Sequence, residues 1–305
     1  MSSTDNAIAR GPITRATLGP GVVLGSLGIL GFSFSFPATR LAVAGLDPWL
    51  VAFGRATVAA VLAAAYLRAT RAPRPTRAQV PSLAIVALGV VVGFPLFSSL
   101  ALEGETAAHG AVVIAFLPAA TAVAAVLRAG ERPSRRFWVA STAGLVAVLA
   151  FVAISAGADL RGSGPRAADL FLLGATALCA MGYAEGGALS RGLGAANTIC
   201  WALVISAPVT ASVAATAAVT TGLHAGATAW LGFAYVSAIS MFLAFFAWYA
   251  GLARGGVAKV GQIQLAQPVL TLVWSALILG EAVGPLTLIC ALAVLASVAA
   301  TQRAR

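Results

Sequence analysis

The sequence predicts an all-α integral membrane protein in which ten transmembrane helices form two inverted five-helix repeats around a central cavity. Three observations predict it. Of the 305 residues, 60% are hydrophobic and only 9% are charged, whereas a soluble domain carries about 25% charged residues; mean hydropathy is +0.95. Apolar runs near the roughly 20 residues needed to cross the hydrocarbon recur along almost the whole chain. A Gly-Glu motif with a proline 13 residues ahead of the glutamate occurs twice, as Pro118 with Glu131 and Pro268 with Glu281, at an offset of 150. A β-barrel would instead show segments of about 10 residues alternating apolar and polar, and runs such as 111–127 and 139–156 do not alternate.

The first 19 residues are polar, with Arg10 and Arg15, and apolar residues follow from Gly21. That pattern imitates a secretory leader, but the run is longer than a leader's apolar region and many spans follow, so 20–43 reads as a retained first helix. "GLDP" ends it. Span two is 49–67, and the proline-broken basic loop "RATRAPRPTR" leads to span three at 80–102. Spans four and five, 108–127 and 137–157, flank the first Gly-Glu loop. "GADLRGSGPR" is the longest flexible stretch and divides the chain into an N-terminal repeat with its tail (1–157), an outer linker (158–167) and a C-terminal repeat with its tail (168–305). The second repeat holds spans at 168–190, 196–219, 229–252, 257–279 and 284–301. No loop is long enough for a soluble domain.

Net charge is +10, and Lys259 is the single lysine. In a soluble protein this excess would point to nucleic acid; among apolar spans it points to cytoplasmic loops. With the N-terminus inside, all of the 19 basic residues but Arg40, Arg55, Arg161 and Arg166 fall on the cytoplasmic side. The opposite topology would translocate the two densest clusters, so both termini are expected in the cytoplasm of a bacterium and the spans in its inner membrane. The three cysteines, Cys179, Cys200 and Cys290, lie inside apolar runs; an odd number without paired spacing argues against a disulfide or zinc framework.

Orientation explains why the repeated motif differs in its surroundings. "VLRAGERPS" (126–134) is crowded with arginine and "ALILGEAVG" (276–284) has none. Five spans per half is an odd number, so the halves enter the membrane from opposite sides: the first loop is cytoplasmic, the second faces outward. A second pair of anchors agrees. Gly31-Phe32 is followed by Arg40 nine residues after the glycine, and Gly182-Tyr183 by Arg191 at the same spacing, an offset of 151. An inverted repeat is a common design among secondary transporters.

Several of these stretches resemble the drug/metabolite transporter superfamily in its ten-helix EamA-type form. The carriers are "GFSFSFPATR", "LVAFGRATVAAVL", "FLPAATAVAAVLRAGERPSRRFWVASTAGLVAVL" and its echo "LAQPVLTLVWSALILGEAVGPLTLICALAVL". The resemblance implies two five-helix halves around a cavity lined mainly by spans one, three, four, six, eight and nine, and transport of small metabolites, with bacterial amino acid exporters among the members. The chain departs from the pattern at Leu30, where a tryptophan is usual.

An ionisable residue within a span is a functional candidate, because insertion with a charge at the bilayer centre costs about 2.5–3.5 kcal/mol. Glu185 is the acid most clearly inside one. It reads as a cavity carboxylate for a substrate ammonium or a proton, or as an ion pair, with Lys259 a plausible partner; the ion pair is favoured. Arg55 lies two turns into span two. It could attract carboxylates, but bracing helix ends or reaching headgroups, with Glu103 and Glu105 as partners, is the preferred reading. His109, at the start of span four and the repeat mate of Lys259, could titrate near neutral pH, although a solvated cap is the simpler role. Span nine is the most polar. Gln264 and Gln267, three apart, share a helix face and would serve recognition or interhelical hydrogen bonding equally. Tyr183, Tyr235 and Trp274, with Phe32, are the aromatic candidates for the cavity. Gly31, Gly182, Gly186 and Gly187 are expected to allow close helix approach. Pro118 and Pro268 would each remove a backbone bond near mid-span and act as hinges.

No P-loop is present to couple ATP, and no His/Asp/Glu cluster points to a metal or to hydrolysis. No cofactor is expected, and an enzyme is disfavoured. The expectation is a secondary transporter of small metabolites, most simply an exporter of neutral or aromatic amino acids working by alternating access, with proton coupling open. A multidrug or nucleotide-sugar-like carrier is the alternative within transport; a membrane-embedded enzyme or lipid-handling protein is the alternative outside it. The partners are then a small-molecule substrate and the lipid bilayer, not nucleic acid.

Overall fold

A computed structural model of the chain describes residues 19–105, 116–155 and 167–279, with residues 107, 110, 114, 289, 292, 293 and 296 besides. The described residues are helical and include no strand. His109, Glu281, the linker up to residue 166 and the tenth span apart from residues 289, 292, 293 and 296 lie outside them. The helices are α1 (Pro20–Val43), α2 (Pro48–Ala69), α3 (Arg77–Gly104), α4 (Leu117–Ala129), α5 (Arg135–Ser155), α6 (Ala167–Leu193), α7 (Ala195–Thr221), α8 (Ala227–Gly255) and α9, which runs through Val257–Gly261, Gln262–Leu265 and Ala266–Leu279. Among the described residues six of these, α1, α2, α3, α6, α7 and α8, are long and apolar enough to cross a membrane.

Local chemistry sets the ends. Asp47 caps α2 by accepting hydrogen bonds from the amides of Trp49 (2.9 Å) and Leu50 (3.0 Å), and Pro48 occupies the first turn, where its missing N–H removes no bond. "GLDP" is therefore a helix start as much as a helix end. Gly194 (φ 89°) joins α6 to α7 and Gly256 (φ 85°) joins α8 to α9, both in backbone regions that a side chain would strain.

Three irregularities interrupt the long helices. Pro37 breaks α1 at Phe34. A proline leaves the carbonyl four residues earlier without its helical donor, here that of Ser33, and the Thr271 hydroxyl of α9 supplies one at 2.8 Å. The other two are π-helical segments, Ala87–Gly93 in α3 and Val236–Leu243 in α8. They begin 149 residues apart and end 150 apart, so the third helix of each half widens at the same place.

Packing joins the halves throughout. α2 lies against α7, α1 against α8, α3 against α6, and α4 against α6 and α9. The α1–α8 and α3–α6 contacts are related by exchanging the halves. At the first, the backbones nearly touch: a Cβ on Gly251 would stand 2.6 Å from the Gly25 nitrogen. At the second, a Cβ on Gly89 would stand 2.5 Å from the Leu178 carbonyl oxygen and 3.0 Å from Gly182. Small residues at these crossings follow from the bilayer, where close van der Waals packing replaces the hydrophobic drive between helices.

Candidate functional site

Both halves contribute to a largely enclosed cavity of about 20 Å³, room for one water. Its walls are Phe32 and Ser35 of α1, Arg55 of α2, Val90 and Phe94 of α3, Leu117 of α4, Cys179 and Tyr183 of α6, Ser240, Met241 and Phe245 of α8, and Gln267 of α9. The two π-helical segments border it through Val90 on one side and Ser240 with Met241 on the other. A π turn widens the helix and often marks a functional site. Four of the sequence candidates, Phe32, Arg55, Tyr183 and Gln267, meet here. Phe32, Tyr183 and Phe245 form a ring cluster with centroids 4.9–6.3 Å apart, backed by the fully buried Trp248.

Arg55 is the charged group of this cavity, and it corrects the expectation that it reaches headgroups or pairs with Glu103 or Glu105. Its residue exposure is 2%. Among the described residues its Nη1 donates to the Thr39 hydroxyl at a long 3.4 Å, and Nε has no partner. Among the described residues no carboxylate pairs with it. Arg40 instead serves the helix end: its Nη1 donates to the Leu102 and Glu103 carbonyls, both at 2.8 Å.

Glu185 does not line the cavity. Its carboxylate meets Arg128 of α4 at 3.0 Å, a partner the sequence reading did not name. Next to this pair Glu131 does more than mark a repeat. Its two oxygens accept the amides of Val257 (2.7 Å) and Ala258 (2.8 Å) at the start of α9, and Arg191 pairs with it at 3.1 Å. Gly256 allows the turn that presents those amides. A carboxylate on exposed N-terminal amides satisfies both their donors and the helix dipole. Glu131 and Glu185 thus clasp α4, α6 and α9 together. Lys259 lines a pocket of about 230 Å³ beside Glu131, apart from the central cavity.

Tyr235 and Trp274, expected in the central cavity, line a different space, an apolar groove of about 510 Å³ between α1, α8 and α9. They are tied to the broken part of α1: the Tyr235 hydroxyl donates to the Gly31 carbonyl and the Trp274 indole to the Ser33 hydroxyl, both at 2.9 Å. Gln264 lies in the tight turn Gln262–Leu265 and Gln267 in the helix after it, and only one of the two lines the cavity: Gln267 reaches it, while Gln264 is buried beside Gly261 with neither amide atom bonded. Gln262 is interhelical glue, accepting from Ser141 (2.8 Å) and donating to the Pro118 carbonyl (3.2 Å). Pro118 falls in the first turn of α4 and Pro268 in the first turn after the tight segment of α9.

Sequence reasoning missed the Ser35–Ser240 hydroxyl pair, 2.7 Å apart across the cavity wall. Small hydroxyls are scattered through every span, and nothing in the sequence distinguishes these two. It also passed over Pro37, although "SFP" within an apolar run announces a break.

The family model described as the EamA-like transporter family matches residues 19–153 and again 166–302. The chain is 44% identical over 283 residues to the "Uncharacterized transporter YdeK" of Bacillus subtilis (strain 168), covering 93% of this chain and 97% of that one. A solved structure described only as "Crystal structure of protein" shares the fold with a TM-score of 0.71 at 20% identity, over 93% of this chain and 98% of its own. With two successive matches to one transporter family and a full-length relative named as a transporter, the chain belongs to the EamA-like transporter family, as a multi-pass membrane transporter.

Proposed function

We propose that this transporter carries small metabolites by alternating access, with amino acids, neutral or aromatic, as the first class to test and export as the direction. The reading takes the ten spans as two inverted five-helix repeats, N- and C-termini in the cytoplasm, in a bacterial inner membrane. The observation that carries it is the central cavity: it is largely enclosed, it draws its walls from both halves, and it combines a ring cluster with a few polar groups. Such a site suits a solute of modest size that is released when the halves rock apart. The apolar groove between α1, α8 and α9 favours, as a second reading, a more lipophilic cargo of the multidrug kind.

Uptake of labelled amino acids into proteoliposomes, run beside drug and lipid panels, tests the function. Flux of amino acids alone supports the first reading; flux of drugs or lipids alone replaces it. Topology is tested separately with Pro133→Cys and Val283→Cys. Labelling from opposite faces of the membrane is expected, and labelling from one face would end the inverted-repeat account. Proton coupling belongs to the same assay: loss of pH dependence in Glu185→Gln would place that carboxylate in the transport cycle, and unchanged flux would leave it as the partner of Arg128.

A further inference from the structure

The cavity's charge narrows the class of solute. Among the described residues its wall holds one formal charge, the Arg55 guanidinium, and no carboxylate. Elsewhere even half-buried charges are met: Glu131 and Glu185 each have an arginine. An isolated buried ion is unfavourable unless something compensates it; among the described residues Arg55 has a long hydrogen bond to Thr39, and its Nε has no partner. A guanidinium in that condition is a preorganised fork for a planar anion. Like charge is penalised: an ammonium entering the cavity would meet this cation, and the described wall offers it the hydroxyls of Ser35, Ser240 and Tyr183 and the amide oxygen of Gln267 but no carboxylate. The remaining walls are apolar or aromatic, led by Phe32, Tyr183 and Phe245.

We propose that the central site selects organic anions with an apolar or aromatic body, with Arg55 holding the carboxylate. Zwitterions rank second, since their carboxylate finds its partner and their ammonium does not, and cations rank last. The cavity as it stands has room for one water, so the anion enters when the halves part, and closure brings the rings onto its body. This inference rests on the transport reading of the same site and separates carboxylate carriage from carriage of cationic drugs.

The test uses three solutes of one skeleton and different charge: 3-phenylpropionate, phenylalanine and 2-phenylethylamine. Binding is read by the thermal shift of the purified full chain in detergent, and transport by counterflow in proteoliposomes, for the wild type, Arg55→Gln and Arg55→Lys. The expected order of binding and flux is anion, then zwitterion, then cation. Arg55→Gln should weaken phenylpropionate binding about tenfold or more, the scale of a charged hydrogen bond, and erase the order; Arg55→Lys should retain part of it. The midpoint of each variant without solute shows that it folds. Stabilisation by phenylethylamine equal to that by phenylpropionate would overturn the proposal, as would an unchanged anion response in Arg55→Gln or no response to any of the three. Anion binding without flux would keep the Arg55 assignment and remove the transport reading. Flux indifferent to charge and to Arg55 would do the reverse.

Discussion

The central cavity and the clasp around Glu131 use charge in opposite ways. At the clasp each acid is met: Glu131 by two helix amides and Arg191, Glu185 by Arg128. The arginines there are nearly half exposed, with side-chain exposures of 45% for Arg128 and 47% for Arg191. In the cavity Arg55 is buried and unmatched. A paired charge at a helix end is explained by the fold it holds together. An unpaired charge in the interior lowers stability, and the fold around Arg55 gives it no such structural task; the proposed anion would. Depth alone would not have made this distinction, because Glu185 also lies within a long apolar helix.

That contrast can be broken most sharply at Arg55. Arg55→Gln is expected to reduce transport of a carboxylate solute about 10–100-fold, the equivalent of a lost charged hydrogen bond. Its thermal midpoint should hold or rise, because a buried ion that lacks a partner is removed. A variant that loses stability instead would put Arg55 in the same structural class as Glu131. Glu131→Ala is the complementary case. It leaves two amides at the start of α9 and Arg191 without their acceptor, and a loss of about 2–3 kcal/mol in denaturation is expected, with the charge order of solutes unaltered. Thr271→Val removes the donor to the Ser33 carbonyl that Pro37 leaves open, for about 1 kcal/mol. Smallest is the Arg128–Glu185 pair. A double-mutant cycle with Arg128→Gln and Glu185→Gln should give a coupling under about 1 kcal/mol, because the Arg128 side chain is nearly half exposed. A much larger coupling would mean that this pair, too, is a buried element of the mechanism.

Much of the architecture was legible because the bilayer acts on composition. Nine of the expected spans coincide with described helices to within a few residues, except that the described part of α4 begins at Leu117. Loops were marked by their breakers, as at Asp47-Pro48, Gly194 and Gly256. The repeat was readable from two glutamates and two glycine anchors, and the π-helical segments of α3 and α8 add a match no motif announced. The site was only half legible. Arg55, Phe32, Tyr183 and Gln267 could be nominated as residues out of place in lipid, and they line one cavity. Tyr235 and Trp274 met the same criterion and line the groove instead. The sequence gives each residue's depth along its helix but not its rotation about the axis, and the π turns and the tight segment at Gln262–Leu265 reset that rotation.

What the chain's sequence determined by itself is its solvent and its plan: a hydrocarbon-embedded set of helices, written twice. Every span must satisfy its own backbone bonds and present apolar side chains to lipid, and those demands are local, so they appear in any window of about 20 residues. Which polar groups are glue and which are free was decided only by tertiary structure. Ser35 meets Ser240 across 205 residues and Thr271 meets Ser33 across 238, while Arg55 meets no acid among the described residues. A hydrogen bond acts over about 3 Å of space whatever the separation along the chain, so pairing, and with it a buried charge without a described acid such as Arg55, becomes visible only once the helices are packed.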